Sequence, residues 1–443
     1  MRTVDGIRRL ANAPARKGWG WIALPRFRWV ISTGLAATVF VAGILALVSV
    51  VAAQTKTVWA FRDVLPSGRY LVLLQNNAEL RPSGGFIGTI ATVELSAYGP
   101  RSLAFDTNIY KRDHAFTARH AVTPPAPLQR VTERWALRDS NWAADFRDAA
   151  TQVLWFYEQE GGEPVDGVIA VNASVIRDFV ELIGEVPLSD GTSVTAASFF
   201  DVLHYKVEKE YFYDADRQRE NEPKSVLRDL YRTLAYRALS PAVAAQLPRL
   251  LAQELDEKHI LLYHTDEAVQ ASIVERGWAG ALPAAEHPIA IVNANVGGQK
   301  SSLNVAQRVE LSVRRDQSGA VHELAVTRTH RGDGHWPDGE NTNYLRALLP
   351  AGSNILRITL NDATLPVSEH VSEEHGLTAV GAWVTTLPQQ SSQIRIEYTL
   401  PKPTATVTYI KQPGVLADQL GITAYGIPVF SGTVTTDRTF TIE

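Results

Sequence analysis

RYLVLLQNNAELRPSGGFIGTIATVEL, residues 69–95, is the stretch on which the fold of this chain turns. Two apolar runs, 69–76 and 85–95, flank a polar knot. The first is short and almost continuously apolar, as expected of a strand buried on both faces. The second alternates in part and reads as a second strand. Between them stand Arg81, Pro82, Ser83, Gly84 and Gly85. Two glycines allow positive φ and close backbone approach. In one reading, successive N–H groups therefore form an anion nest, with Arg81 as a bidentate donor for phosphate or carboxylate. In the other, the loop is a structural turn and Arg81 is the cation of a buried ion pair, with Glu79 and Asp139 as ready partners.

Moving toward the C-terminus, RSLAFDTNIY (101–110) reads as a third strand and the proline-rich HAVTPPAPLQR (120–130) as a loop. The period then changes. Phe146, Ala149, Val153, Phe156 and Tyr157 fall on one helical face ahead of Gly161. VDGVIAVN (165–172) is a strand, and Val175, Ile176, Phe179, Val180 and Ile183 repeat the helical pattern up to Gly184. Further helices are expected at 195–210, 224–238, 241–255 (Ser240 as cap, Pro241 first) and 265–277 (Thr265 as cap), with strands at 259–265 and 288–296. Alternating strands and helices predict a layered α/β domain with a central sheet over 62–298.

From about residue 300 the helical signal vanishes. NVAQRVELSVRR, VHELAVTRTHR, LTAVGAWVTTLP, SSQIRIEYTLP and TATVTYIKQPG alternate between turn residues, which predicts an all-β sandwich over 299–443.

Toward the N-terminus, WVISTGLAATVFVAGILALVSVVAA (29–53) is 25 residues without a charge. As a helix it reaches roughly 37 Å, enough for a hydrocarbon core of about 30 Å. Residues 1–28 carry a net charge of +6 and the remainder −10. The positive-inside rule makes 1–28 a cytoplasmic tail, 29–53 a single transmembrane helix, and the rest extracytoplasmic. A cleaved signal peptide is the competing reading, though its apolar core is usually shorter. The acidic main body argues against nucleic acid as a partner. The chain has no cysteine, which removes disulfides, thiolate chemistry and Cys-ligated metals. An exported protein without disulfides fits a bacterial plasma membrane, with the lipid bilayer as its first partner.

Five stretches, LLQNNAELRPSGGFIGT (73–89), LRDSNWAADF (137–146), VDGVIAVN (165–172), WPDGENTNYLRALLPAGS (336–353) and YIKQPG (409–414), stand in an order that resembles the bacterial domain of unknown function 4012 family. That resemblance implies a membrane-anchored envelope protein and no settled activity. The α/β part is also similar in layout to the LytR–CpsA–Psr family, membrane-anchored enzymes that move a glycan from a polyprenyl diphosphate onto peptidoglycan or protein. This second resemblance implies catalytic roles for Arg81, Arg138 and Asp139. It implies substrate binding by Arg217, Gln218 and Arg219; Gly84 and Gly85 are substrate-binding candidates through the anion-nest reading instead. Pro82-Ser83-Gly84-Gly85 stand where that family has an aspartate that helps hold Mg2+, and Trp135-Ala136-Leu137 replace its Ser-Ile-Pro.

On chemistry alone, Arg138 and the Arg217/Arg219 pair join Arg81 as anion donors. Asp139, Asp145, Asp214 and Asp216 are the acids nearest to these arginines, and Mg2+ bound by one or two carboxylates plus diphosphate oxygens is the matching cofactor. Asp139 or Ser140 has a plainer use as a helix cap. His114 and His120 stand six apart, which is not a helical metal pair. Asp338, Asn341 and Asn343 read first as a turn and second as Ca2+ ligands; Trp336 and Tyr344 read as core or as sugar contacts. Two functions follow as expectations. One is binding or transfer of a polyprenyl-diphosphate-linked glycan, a phosphotransferase of cell-wall glycopolymers. The other is non-enzymatic: a surface adhesion or scaffold protein that binds polysaccharide or a partner.

Overall fold

The computed structural model describes residues 61–443 apart from 98, 107–108, 189, 211–229, 231–232, 235, 239, 298, 318 and 443. The expected cytoplasmic tail (1–28) and transmembrane helix (29–53) lie outside the described residues. Among the described residues no helix is long and apolar enough to cross a membrane.

The opening stretch forms a hairpin. Strand β1 (Gly68–Arg81) pairs antiparallel with β2 (Gly84–Ser96), and Arg81 faces Gly84 across the ladder, so only Pro82 and Ser83 make the turn. β3 (Gly99–Asp106), β4 (Gly167–Asn172) and β5 (Ile260–His264) complete a five-stranded sheet in the order β3-β2-β1-β4-β5. β1 pairs parallel with β4, and β5 antiparallel with β4. The near-continuous apolar run of β1 is explained by burial on both faces. Tyr70 and Val72 point toward α3 (Ala173–Ile183) and α5 (Leu247–Asp256) through Phe179, Val180, Leu251 and Leu255. Leu71 and Leu73 point toward α1 (Ile109–Thr117) and α2 (Phe146–Gln159) through Ile109, Phe116, Val153 and Phe156. α4 (Phe199–His204) adds Phe199 and Val202 to the first face. The mixed α/β region expected from the alternating pattern is present.

Local details differ from expectation where short polar signals compete. Residues 109–117 are helical, although the strand had been expected to run to 110. Asp266, not Thr265, caps α6 (Glu267–Glu275), accepting from Ala268 and Val269 N–H groups. Asp145, not Asp139 or Ser140, caps α2. In both helices an Asp closer to the first turn has the shorter reach to the free N–H groups.

The C-terminal half consists of two sheets. In chain order its strands are β6 (Pro288–Asn295), β7 (Val305–Asp316), β8 (Gly319–His330), β9 (Asn341–Leu349) and β10 (Asn354–Leu360). They continue with β11 (Ala363–Leu365), β12 (Val371–Glu374), β13 (Leu377–Thr386) and β14 (Ser391–Thr399). The last are β15 (Thr406–Ile410), β16 (Asp418–Ala424), β17 (Ile427–Val434) and β18 (Arg438–Thr441). One sheet has seven strands, β11-β10-β14-β8-β7-β16-β17; the other has six, β12-β13-β9-β6-β15-β18. Their inner faces share one buried cluster, in which Ile291, Leu345 and Val380 of the six-stranded sheet meet Leu311, Val326 and Ile396 of the seven-stranded one.

The strand at 288–296, read within the α/β region, belongs by its hydrogen bonds to this second unit, between β9 and β15. The second unit therefore begins before 299. β6 is buried at every position because both its faces are covered. Ile289 and Ile291 enter the two-sheet core, while Ala290 and Val292 pack on Ala144 and Leu282 of the first region. The two regions are thus pressed together along β6.

Gly84 sits at that seam with φ +129°, and a Cβ there would lie 2.1 Å from Gln75 Oε1. Gly84→Ala is expected to cost about 1–3 kcal/mol from crowding plus the backbone penalty. Denaturant titration of the purified variant checks this; an unchanged midpoint contradicts the crowding argument.

Candidate functional site at the junction of the layers

Arg81 closes β1 and is only 3% exposed. Its Nε and Nη2 donate to Asp139 Oδ1 at 3.3 and 3.0 Å, and Nη2 also donates to Glu79 Oε1 at 3.1 Å. Nη1 donates to Leu80 O at 3.3 Å and to Asn295 O at 2.7 Å. Its guanidinium carbon lies 5.2 Å from the Phe86 ring centroid. Burial disfavours the cation, but the adjacent Glu79 and Asp139 carboxylates outweigh it and hold the pKa above its ordinary value. Arg81 spends its donor capacity inside the protein, and because Asn295 ends β6, the same side chain ties the α/β region to the β unit.

The LRDSNW segment meets the hairpin turn from the other side. Leu137–Asp139 form a 3-10 turn. Asp139 Oδ2 lies 3.4 Å from Arg138 Nε, and Arg138 Nη1 lies 3.3 Å from Asp113 Oδ2. Ser83 Oγ donates to Asn141 O at 3.1 Å, and Asn141 Nδ2 donates to Gly85 O at 2.9 Å. Gly85 is required by close approach, since a Cβ would stand 2.2 Å from the Asn76 carbonyl carbon. Arg81, Arg138, Asp139, Gly84 and Gly85 are thus brought together, as one internal clamp. Arg217, Gln218 and Arg219, with Asp214 and Asp216, lie outside the described residues.

The remaining quoted motifs converge on the same seam. Asn77 Nδ2 donates to Ser174 Oγ at 3.2 Å and to Gly414 O at 3.0 Å. Asn172, the end of VDGVIAVN, sits beside Gln75 in the ladder. Gln412 Nε2 donates to Arg81 O at 3.0 Å and Asn293 O at 2.7 Å, while its Oε1 accepts from Asn293 N. Arg346 Nη2 donates to Trp142 O at 3.0 Å, and its Nη1 pairs with Glu374 at 2.6 Å. Lys411 is fully buried and donates to Glu257 O at 2.5 Å. Asn341 and Asn343 belong to this polar network, through bonds to Ser301 Oγ and Asn293 Oδ1. Asp338 accepts from Gly334 N within its turn, and Tyr344 packs on Trp383 at 5.3 Å. Lys411, Gln412, Asn293 and Arg328 are the residues that sequence reasoning passed over. The available signal was a polar or charged residue at an inward-facing strand position, as with Arg328 two beyond Val326.

Beside the clamp, buried Asp113 and half-buried Glu160 form a carboxyl pair. Burial raises Glu160 to about 8 and Asp113 to about 6, and each carboxyl acts on the other. Glu160 Oε1 accepts from Leu137 N at 3.1 Å, and Asp113 Oδ2 lies 3.3 Å from Arg138 Nη1. Of the acids named with these arginines, Asp139 and Asp145 have their oxygens taken up inside the protein. Both oxygens of Asp139 face arginines, and those of Asp145 accept from Arg147 N and Leu282 N. His120 stacks on Phe116 at 4.8 Å.

Residues 67–207 match the family model described as a protein of unknown function, DUF4012. No curated protein matches the chain. Three solved structures show partial likeness. A putative nutrient binding protein of Legionella pneumophila is 11% identical over 31% of this chain and 54% of its own, with a TM-score of 0.21. Aminopeptidase A of the same organism is 11% identical over 27% and 16%, with 0.18, and a yeast LTA4 hydrolase 12% over 24% and 16%, with 0.15. The chain spans about half or less of their lengths, and scores this low carry no argument. None of these likenesses is to a LytR–CpsA–Psr protein.

Arg81→Ala removes the nearer cation from Asp139 and Glu79, leaving them Arg138 and Lys300, takes a donor from the Asn295 carbonyl, and is expected to cost about 3–5 kcal/mol. Arg81→Lys should recover little, because an ammonium cannot span the same acceptors. Denaturant midpoints of both variants check this; a midpoint close to wild type for Arg81→Ala contradicts the clamp.

A raised carboxyl pKa means the folded state keeps a proton that the unfolded chain has released. The resulting stability is full below the ordinary carboxyl range and is lost as pH climbs toward about 8. Glu160→Gln should flatten the fall in stability between pH 5 and 8 relative to wild type, roughly the window between the two pKa values. Parallel slopes in the two proteins contradict the raised Glu160 pKa.

Proposed function

We propose that this chain is a non-enzymatic binding and scaffold protein of the bacterial cell envelope. Residues 29–53 anchor it in the plasma membrane, and the main body stands outside, facing cell-wall polysaccharide. The observation that carries this reading is the saturation of Arg81 by Asp139, Glu79, Leu80 O and Asn295 O. A glycan transferase of the LytR–CpsA–Psr type needs that arginine free for a diphosphate and needs a carboxylate free for Mg2+. Arg81 and Asp139 are instead spent on each other and on the carbonyl of Asn295, the use expected of a platform. The five motifs of the DUF4012 resemblance then report the joint that keeps the platform in one shape. The transfer reading would have to be built on Arg138, whose side chain is 23% exposed, together with Arg217, Gln218 and Arg219.

Mass spectrometry of lipid co-purifying with the detergent-extracted full-length protein tests the choice, with Arg138→Ala in parallel. The platform reading expects no polyprenyl phosphate or diphosphate on either protein. Such a lipid held by wild type and lost from Arg138→Ala would sink it and favour glycan transfer with Mg2+.

A further inference from the structure

A cavity of about 370 Å3 lies at the seam, bordered by Asn77 of β1, Asn293 of β6, Gln307 of β7, Arg328 of β8, Arg331 and the 414–417 segment. Its volume is within the range of small-ligand sites. Arg328 is 3% exposed and points inward from a strand whose neighbours in the pattern are Leu324 and Val326. Its Nη1 donates to Asn293 Oδ1 and to Gln307 Oε1 (3.1 Å), and its Nη2 to Asn341 Oδ1 (2.8 Å). All three acceptors are neutral amides, and Nε has no hydrogen-bond partner.

The charge balance around this guanidinium is incomplete. Arg328 makes no ion pair among the described residues, and the acid that acts on it is Asp418. Asp418 takes its own hydrogen bonds from Tyr409 Oη at 2.6 Å and Gln307 Nε2 at 2.9 Å, and it also faces the buried Lys411. Lys411 is also acted on by Glu257 and Asp437, whereas Asp418 is the one acid that acts on Arg328, and it makes no direct contact with it. Burial pushes Arg328 down to about 10, which still leaves it charged at neutral pH. A buried charge without a full partner is costly, and a bound anion is the direct remedy. Arg331 lines the same cavity, is exposed, and makes no ion pair among the described residues.

We propose that this cavity is a binding site for a carboxylated sugar, its carboxylate held between Arg328 and Arg331 and a hydroxyl by the exposed Asn304. Among the described residues two guanidinium groups line the cavity, and no carboxylate does. Planar guanidinium groups suit a carboxylate, and amide side chains suit hydroxyls. Leu80, Leu303 and Leu416 supply apolar wall for the C–H faces of a ring. The inference deepens the polysaccharide-facing reading above and rests on it for the choice of a sugar.

Calorimetric titration of the detergent-solubilised full-length protein with glucuronate, galacturonate, glucose and inorganic phosphate tests it. One uronate is expected to bind at least tenfold more tightly than glucose or phosphate. Arg331→Ala, a change at an exposed side chain, should weaken it at least tenfold with the melting temperature unchanged. No uronate binding, tighter binding of phosphate, or an Arg331→Ala protein that binds as wild type would each overturn the site. None of these results bears on lipid retention, so the platform reading stands or falls separately.

Discussion

The Arg81 guanidinium is the point on which the two layered regions depend. Buried at the end of β1, it holds Asp139 of the LRDSNW turn on one side and the carbonyl of Asn295, the end of β6, on the other. Charge-assisted bonds to carboxylates and backbone carbonyls satisfy a cation that water does not reach. Removing it leaves two acids in a place built around a positive charge. Gly84, Gly85 and Gly414 follow from the same constraint, because the chains at the seam pass too close for side chains.

Around that clamp the molecule is organised by coverage. The five-stranded sheet is sheltered on both faces by helices, and the six-stranded sheet is sheltered by the seven-stranded one and, along β6, by the α/β region. Polar groups are gathered where these layers meet: Asn293 donates to Gln412, Asn77 to the Gly414 carbonyl and Asn341 to the Ser301 hydroxyl. Networks of this kind make a joint specific, since sliding either region by one residue would orphan several buried amides at once. A cavity bounded by such a joint keeps its shape, which is what a binding platform requires.

Much of the strand and helix content was legible. β1, β2, α2, β4 and α3 stand close to where periodicity places them, because both-face burial and a helical stripe leave strong local patterns. The helix at Ile109–Thr117 was not legible: only Ile109, Asp113 and Phe116 are buried, a stripe too thin to outweigh the strand pattern before it. Of the site, Arg81 with Asp139 and Glu79 was foreseen as one of two readings. The partners at Asn295 and Gln412 were not, since they lie 214 and 331 residues away.

The sequence by itself determined the period of each element, the contrast between an α/β half and a β half, and an uncharged run long enough to span a bilayer. These are local properties, written in the spacing of apolar residues over a few turns or a few strand positions. Only the tertiary structure decided which sheet receives residues 288–295, since an all-apolar strand fits either one. Tertiary packing also decided the fate of Arg81, because whether a guanidinium faces a ligand or a carboxylate depends on what distant chain arrives beside it. The same holds for Arg328: its place on β8 is local, but the amides around it come from β6, β7 and β9.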